Sequence, residues 1–133
     1  TYFYNAYGPR EIESGKYATL IALFKNKMKN GETLTVVSPG TQKRNFTHIE
    51  DIIDGLVRVG ENGYGDEFGI GSGEAFTILE VAKMFGGEIK MLEPRAGNRM
   101  TAEVMSEKTK ALGWMPQKKL QEYIEELRQY NWK

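Results

Sequence analysis

Cysteine is absent from the 133 residues, and histidine occurs once, as His48. These gaps exclude disulfides, thiolate metal sites and a cysteine nucleophile, and they leave little from which to build any other metal centre. Net charge is lacking as well, because 18 Lys and Arg balance 18 Asp and Glu. No long-range field draws the chain to nucleic acid or to an anionic membrane, so any polyanion site must be local. The apolar stretches run to only a few residues, and no charged-then-apolar leader opens the chain. Neither a membrane span nor a signal peptide is expected, and a cytoplasmic location is. The chain opens on Thr1-Tyr2-Phe3-Tyr4 in place of a methionine. Aromatic and β-branched residues of that kind suit the inside of a strand, which raises the expectation of a chain whose beginning has been removed.

What is present predicts one domain of mixed strands and helices, with no repeat and no low-complexity segment. Asn5-Ala6-Tyr7-Gly8-Pro9-Arg10 is turn chemistry and leads into a polar loop up to about Lys16. Leu20, Ile21, Leu23, Phe24 and Met28 recur at helical spacing until Asn30-Gly31. Thr33 to Val37 reads as a strand, and Gln42 to Thr47 as an extended segment. A helix follows from Ile49, with Ile52, Ile53, Leu56, Val57 and Val59 marking its expected apolar side. Glu67 to Ile70 is a strand that enters Gly71-Ser72-Gly73, and Thr77-Ile78-Leu79-Glu80 is spaced as a capping box for a helix to Phe85. Ile89 to Leu92 reads as a strand, then a short helix starts at Ser106, and an amphipathic helix runs from Leu120 to Tyr130.

Three loops carry an arginine beside glycine, proline or a polar partner: Arg10, Arg44 and Arg95. Guanidinium groups that converge can each give a phosphate forked hydrogen bonds, and a diphosphate would suit them. The commoner role of such an arginine is a solvated loop residue or half of a surface ion pair. Gly69-Ile70-Gly71-Ser72-Gly73 resembles a dinucleotide fingerprint only in part, since Glu74-Ala75-Phe76 separate it from the capping Thr77. A structural turn is the better reading. His48 before Glu50-Asp51 suits acid–base work or a helix start, and the helix start is favoured because no serine or cysteine partner has a recognisable spacing. The acidic pair favours the positive end of the next helix. Trp114, Trp132 and the final helix read as packing.

In this order the segments resemble the carboxy-terminal half of the extended short-chain dehydrogenase/reductase family, the NAD-dependent nucleotide-sugar epimerases and dehydratases of the UDP-glucose 4-epimerase type. Asn5 to Arg10 matches that family's N-x-Y-G-P-R, and Gly40 to Ile52 its G-x-Q-x-R-[DN]-F-x-H-[VI]-x-D-I block. Gly69 to Phe85 matches its G-S-G turn and helix, Arg95 to Gly97 its R-P-G loop, and Lys108 to Pro116 its closing K-A-K-x-L-G-W-x-P. Ser38-Pro39, Asn45, Ala96, Asn98 and Ser106 depart from the usual residues.

The resemblance implies an α/β fold: residues 1–133 form a mixed substrate-binding lobe whose first strand and helix would belong to an absent amino-terminal Rossmann half that binds NAD. It implies that Asn5 hydrogen-bonds diphosphate or sugar, that Arg44 pairs with the diphosphate, and that Arg95 contacts phosphate and ribose. Thr35, Val36 and Val37 would floor the base slot, largely through their backbone. Phe3 and Tyr4 would lie where the nicotinamide meets the sugar. The G-x-x-G-x-x-G loop and the Tyr-x-x-x-Lys pair with which that family begins oxidation at C4 are not in this sequence, so no catalytic residue is assigned and the chain alone is expected to be inactive. The implied parent is a homodimer that takes a hydride from C4 of a UDP-hexose to NAD and returns it to the other face. A dTDP- or GDP-sugar 4,6-dehydratase is the alternative within the class, and a free-standing nucleotide-sugar-binding module is the alternative outside it. No nucleic-acid, membrane or metal partner is expected.

Overall fold

Among the described residues three of the four strand pairs are parallel, a pairing that needs a long connection between partners and so brings helices with it. The computed structural model describes residues 5–16, 18–63, 65, 68–94 and 106–132, together with the backbone of 2 and 3. Strand β1 (Tyr2–Phe3) pairs with β6 (Gly69–Ile70), β2 (Ala6–Tyr7) with β5 (Thr47–His48), and β3 (Leu34–Val37) with β8 (Ile89–Leu92). The antiparallel pair is β4 (Lys43–Asn45) with β7 (Ala75–Thr77). Helices α1 (Leu20–Lys29), α2 (Ile49–Asn62), α3 (Ile78–Phe85), α4 (Glu107–Ala111) and α5 (Leu120–Gln129) lie between and after them. The α/β class expected from the sequence is the one observed.

The main core gathers Ile21 and Phe24 of α1, Leu34 and Val36 of β3, Val81 and Phe85 of α3, and Ile124 and Leu127 of α5. Each set recurs at the period of its element, three or four on a helix and two on a strand, so one face of each turns inward. Trp132 stacks on Phe85 with centroids 5.4 Å apart. Trp114 belongs to a second cluster with Ile52 and Ile70 and donates from Nε1 to the Asp51 carbonyl at 2.8 Å. Both tryptophans therefore pack, as expected.

Local chemistry explains the helix starts. Thr77 Oγ1 accepts from Glu80 N at 3.0 Å, the predicted cap, and Gly86 ends α3 in the left-handed region at φ +80°. Thr19, not singled out in the sequence, caps α1 by accepting from Ala22 N at 3.2 Å, so that helix begins at Leu20. Ser106 is the expected start of α4 by position, but its buried side chain makes no capping bond.

The expected apolar side of α2 is corrected. Ile53, Leu56 and Val57 are exposed, and the buried face is Asp51, Ile52 and Gly55. Both strips obey helical spacing. The inner one is selected because Gly55 lets α2 approach β6 so closely that an added Cβ would lie 2.9 Å from Ile70 Cγ2. Leu23 on α1 and Tyr130 after α5, both counted with apolar faces from the sequence, are likewise exposed.

Candidate functional site

A groove of about 220 Å³ is lined by Asn5, Leu20, Thr35, Val37, Gln42, Arg44, Phe46 and Ile78. Four of the site residues anticipated from the sequence, Asn5, Thr35, Val37 and Arg44, thus meet at one place from three separated segments. Strand period decides two of them: Thr35 and Val37 point to the groove, whereas the intervening Val36 is buried and faces the core. The Val36 side chain is therefore not available to a ligand in the groove. The chain then turns through a cis Ser38–Pro39 bond to Gly40, at φ +71°, where an added Cβ would come within 2.7 Å of Val36 Cγ1. That glycine lets the chain fold back against β3 and aim β4 at the groove.

Asn5 lines the same groove from a left-handed conformation, φ 35°, a region that asparagine tolerates better than most residues. Its carbonyl accepts from Thr47 N at 3.3 Å, which ties the β1–β2 bend to β5. Arg44 is half-buried on β4 opposite Phe76 and donates from Nη1 to the Lys43 carbonyl at 3.0 Å. The next residue, Asn45, stands where the resembling family usually carries Asp. It is buried and donates from Nδ2 to the carbonyls of Ser72 at 3.0 Å and Glu74 at 3.3 Å, two bonds an ionised carboxylate could not give. The departure is thus a structural fastening beside the site.

Arg10 does not join Arg44. It lies in a separate, larger concavity with Lys25, Glu126 and Tyr130, so the three-arginine convergence is not observed. Arg95 and Tyr4 fall outside the described residues, as does the side chain of Phe3. Four lining residues, Leu20, Gln42, Phe46 and Ile78, had no site role in the sequence reading, and neither did Lys27, whose Nζ donates to Thr35 Oγ1 at 2.8 Å. Leu20 and Lys27 are seven residues apart on α1, two turns along one face, and that spacing was the signal available.

His48 turns out to be a helix start. Its Nδ1 accepts from Glu50 N at 3.1 Å, and its ring stands edge-on to Tyr7 at 5.2 Å and to Tyr123 at 5.7 Å. Burial lowers its pKa from the ordinary 6.5, which favours the neutral, accepting imidazole. Burial also raises the phenol of Tyr7 and pushes that of Tyr123 up to about 12, so neither is poised to exchange a proton near neutral pH. Asp51 does more than face the helix dipole. Its Oδ1 accepts from Gln117 N at 3.0 Å and its Oδ2 from Lys118 N at 2.9 Å, which staples the chain after Trp114 to α2.

The dinucleotide fingerprint is not met by the described glycine loop. The glycine run 69–73 leaves β6 and enters β7, so no helix N-terminus faces it, and the loop is fastened by Thr47 Oγ1 to Ser72 N at 2.9 Å. Among the described residues no group of three or more His, Asp or Glu could hold a metal ion, and no helix is long and apolar enough to cross a membrane.

The sequence model of the NAD dependent epimerase/dehydratase family matches residues 2–71, just over half of the chain. The chain belongs to this family. Within the epimerase/dehydratase family it is similar to UDP-glucuronic acid decarboxylase 3 of Arabidopsis thaliana, 35% identical over an alignment of 127 positions that covers 90% of this chain and 36% of that protein. It is also similar to dTDP-L-rhamnose 4-epimerase of Burkholderia thailandensis, 30% identical over 92% of this chain and 36% of that protein. Among solved structures, the UDP-glucose 4-epimerase of Thermotoga maritima with UDP-glucose superposes with a TM-score of 0.83 at 27% identity, covering 96% of this chain and 45% of that one. The chain spans little more than a third of the length of the curated relatives it matches. These relatives are nucleotide-sugar epimerases and decarboxylases.

Proposed function

We propose that this chain holds the nucleoside diphosphate of a UDP-linked hexose, as the substrate-binding part of an NAD-dependent nucleotide-sugar 4-epimerase. The observation that carries the reading is the meeting of Asn5, Thr35, Val37 and Arg44 around one groove. In this reading the Arg44 guanidinium pairs with the diphosphate, Asn5 hydrogen-bonds diphosphate or sugar, and the β3 backbone through Val36 floors the base between Thr35 and Val37. Arg95 adds a second cation, while Phe3 and Tyr4 border the sugar. NAD is bound chiefly by a preceding Rossmann portion, a view supported by the share of the relatives that this chain spans and by the exposed strip Ile53, Leu56 and Val57 on α2. A decarboxylase acting on UDP-glucuronate is the second reading, favoured by the 35% identity to the Arabidopsis protein.

Calorimetric titration of the full-length protein with UDP tests the site. A charge-assisted hydrogen bond contributes about 1.5–3 kcal/mol, so Arg44→Ala is expected to weaken UDP roughly 10- to 150-fold. An unchanged affinity sinks the assignment. Incubation with UDP-glucose and with UDP-glucuronate separates the two readings, since only the latter releases carbon dioxide.

A further inference from the structure

A cavity of about 250 Å³ lies where Pro9 and the start of α2 meet the first turns of α5, and its lining includes His48, Lys119, Glu122, Tyr123 and Glu126. It shares no lining residue with the groove at Arg44. His48 is the residue there that the fold leaves incomplete. It is 6% exposed, and its Nδ1 accepts from Glu50 N. A neutral imidazole that accepts at Nδ1 carries its proton on Nε2. That Nε2–H makes no hydrogen bond among the described residues. Nor is it sealed in, since Tyr7 Oη is the one side-chain polar atom among them that is both enclosed and unpartnered, so Nε2–H opens onto the cavity that His48 lines. A nearly buried donor left open in this way is costly unless something else meets it.

The rest of the lining narrows what meets it. Glu50 and Lys118 neutralise each other at 3.4 Å. Glu122 and Glu126 stand one turn apart on the same face of α5, and neither they nor Lys119 makes a side-chain hydrogen bond or ion pair among the described residues. An anion would answer the His48 donor but would face two carboxylates. An alkylammonium would suit the carboxylates but has no acceptor for Nε2–H. A hydroxyl both accepts and donates, and a carboxylate takes its proton in a charge-assisted bond. Water has the same chemistry, but the cavity is several times the roughly 30 Å³ that one water occupies. We propose that this cavity is a second, carbohydrate-binding site that takes a neutral pyranose. One sugar oxygen accepts from His48 Nε2–H, neighbouring hydroxyls donate to Glu122 and Glu126, Lys119 donates to another oxygen, and the C–H face packs on Pro9 and the Tyr123 ring. The sugar is free or ends a glycan, since both present the same hydroxyls. The site stands apart from the nucleotide reading of the groove and does not depend on it.

The test reads glucose by saturation-transfer difference NMR on the full-length protein, with UDP present to fill the groove. Saturable binding is expected, unchanged in Arg44→Ala and weakened roughly tenfold or more in Glu122→Ala and in Glu126→Ala, because each of the latter removes a charge-assisted hydrogen bond. Both positions are exposed on α5 and alanine is the best helix former, so these variants keep the fold. A glucose trisaccharide that binds as well as glucose marks a glycan end as the source, and one that does not marks the free sugar. Glycine, which offers an ammonium and a carboxylate in place of hydroxyls, is expected to leave the glucose signal intact; displacement by glycine overturns the choice of ligand. No saturable signal, or one that both alanine variants leave unchanged, overturns the site and means that the cavity holds water.

Discussion

Replacing Asp51 by Asn removes one oxygen and leaves the shape of the side chain intact. In the wild type its two carboxylate oxygens receive Gln117 N at 3.0 Å and Lys118 N at 2.9 Å, in a residue only 5% exposed. The amide can satisfy one of those donors, but its NH₂ then faces the other. The unpaired N–H costs about 1–3 kcal/mol, and demoting the remaining bond from charge-assisted to neutral costs about 1 kcal/mol more, so roughly 3 kcal/mol is expected in all. With an unfolding entropy of about 2.1 cal/mol/K per residue over 133 residues, that corresponds to a fall in Tm of about 10 °C. Thermal unfolding followed by circular dichroism, with urea midpoints at unchanged m, reads it directly. If Asp51 merely faced the positive end of α2, the loss would be about 0.3–1 kcal/mol, near 3 °C or less. A Tm within that smaller range would refute the staple.

Glu11 is expected to make stability fall with pH. Burial raises its pKa above the ordinary 4.5, while Gly8 N at 2.6 Å and Thr19 Oγ1 at 3.1 Å bond its carboxyl oxygens. The folded state therefore holds the proton more tightly than the unfolded chain, and the stabilisation present below pH 4.5 is lost as pH rises through the elevated value. Glu11→Gln should remove that slope, so the difference between urea midpoints of wild type and variant, measured at about pH 4 and 7, should move in the variant's favour at the higher pH; a constant difference would count against it. Thr109→Val tests the tie between α4 and β6. Thr109 Oγ1 donates to the Gly69 carbonyl at 2.7 Å in a fully buried position, and its isosteric loss should cost about 1–2 kcal/mol in urea unfolding. A neutral result would mean that the Gly69 carbonyl finds another donor.

The local elements were legible because local chemistry specifies them. The capping spacing Thr77 to Glu80, the stop at Gly86 and the alternation in β3 each depend on neighbours a few residues away. The family was legible for a similar reason, since its motifs occur in order along the chain and match without any knowledge of contacts. Sequence order also placed Asn5, Thr35, Val37 and Arg44 in the candidate site, through that resemblance and not through geometry.

The tertiary structure decided what one-dimensional spacing leaves degenerate. On α2 two strips share the helical spacing, and only the contact of Gly55 with Ile70 and Trp114 selects the inner one. Asp51 read as a helix-end charge until the chain after Trp114 returned to it, a separation of 66 residues that no local pattern encodes. Arg10 and Arg44 looked alike as loop arginines, yet they occupy different concavities. Gln42 was one letter in a motif until folding buried it in the groove that Arg44 also lines. A side chain's covalent type is set by the sequence, but its desolvation and its partners depend on which distant segments close around it, and that is settled only when the whole chain packs.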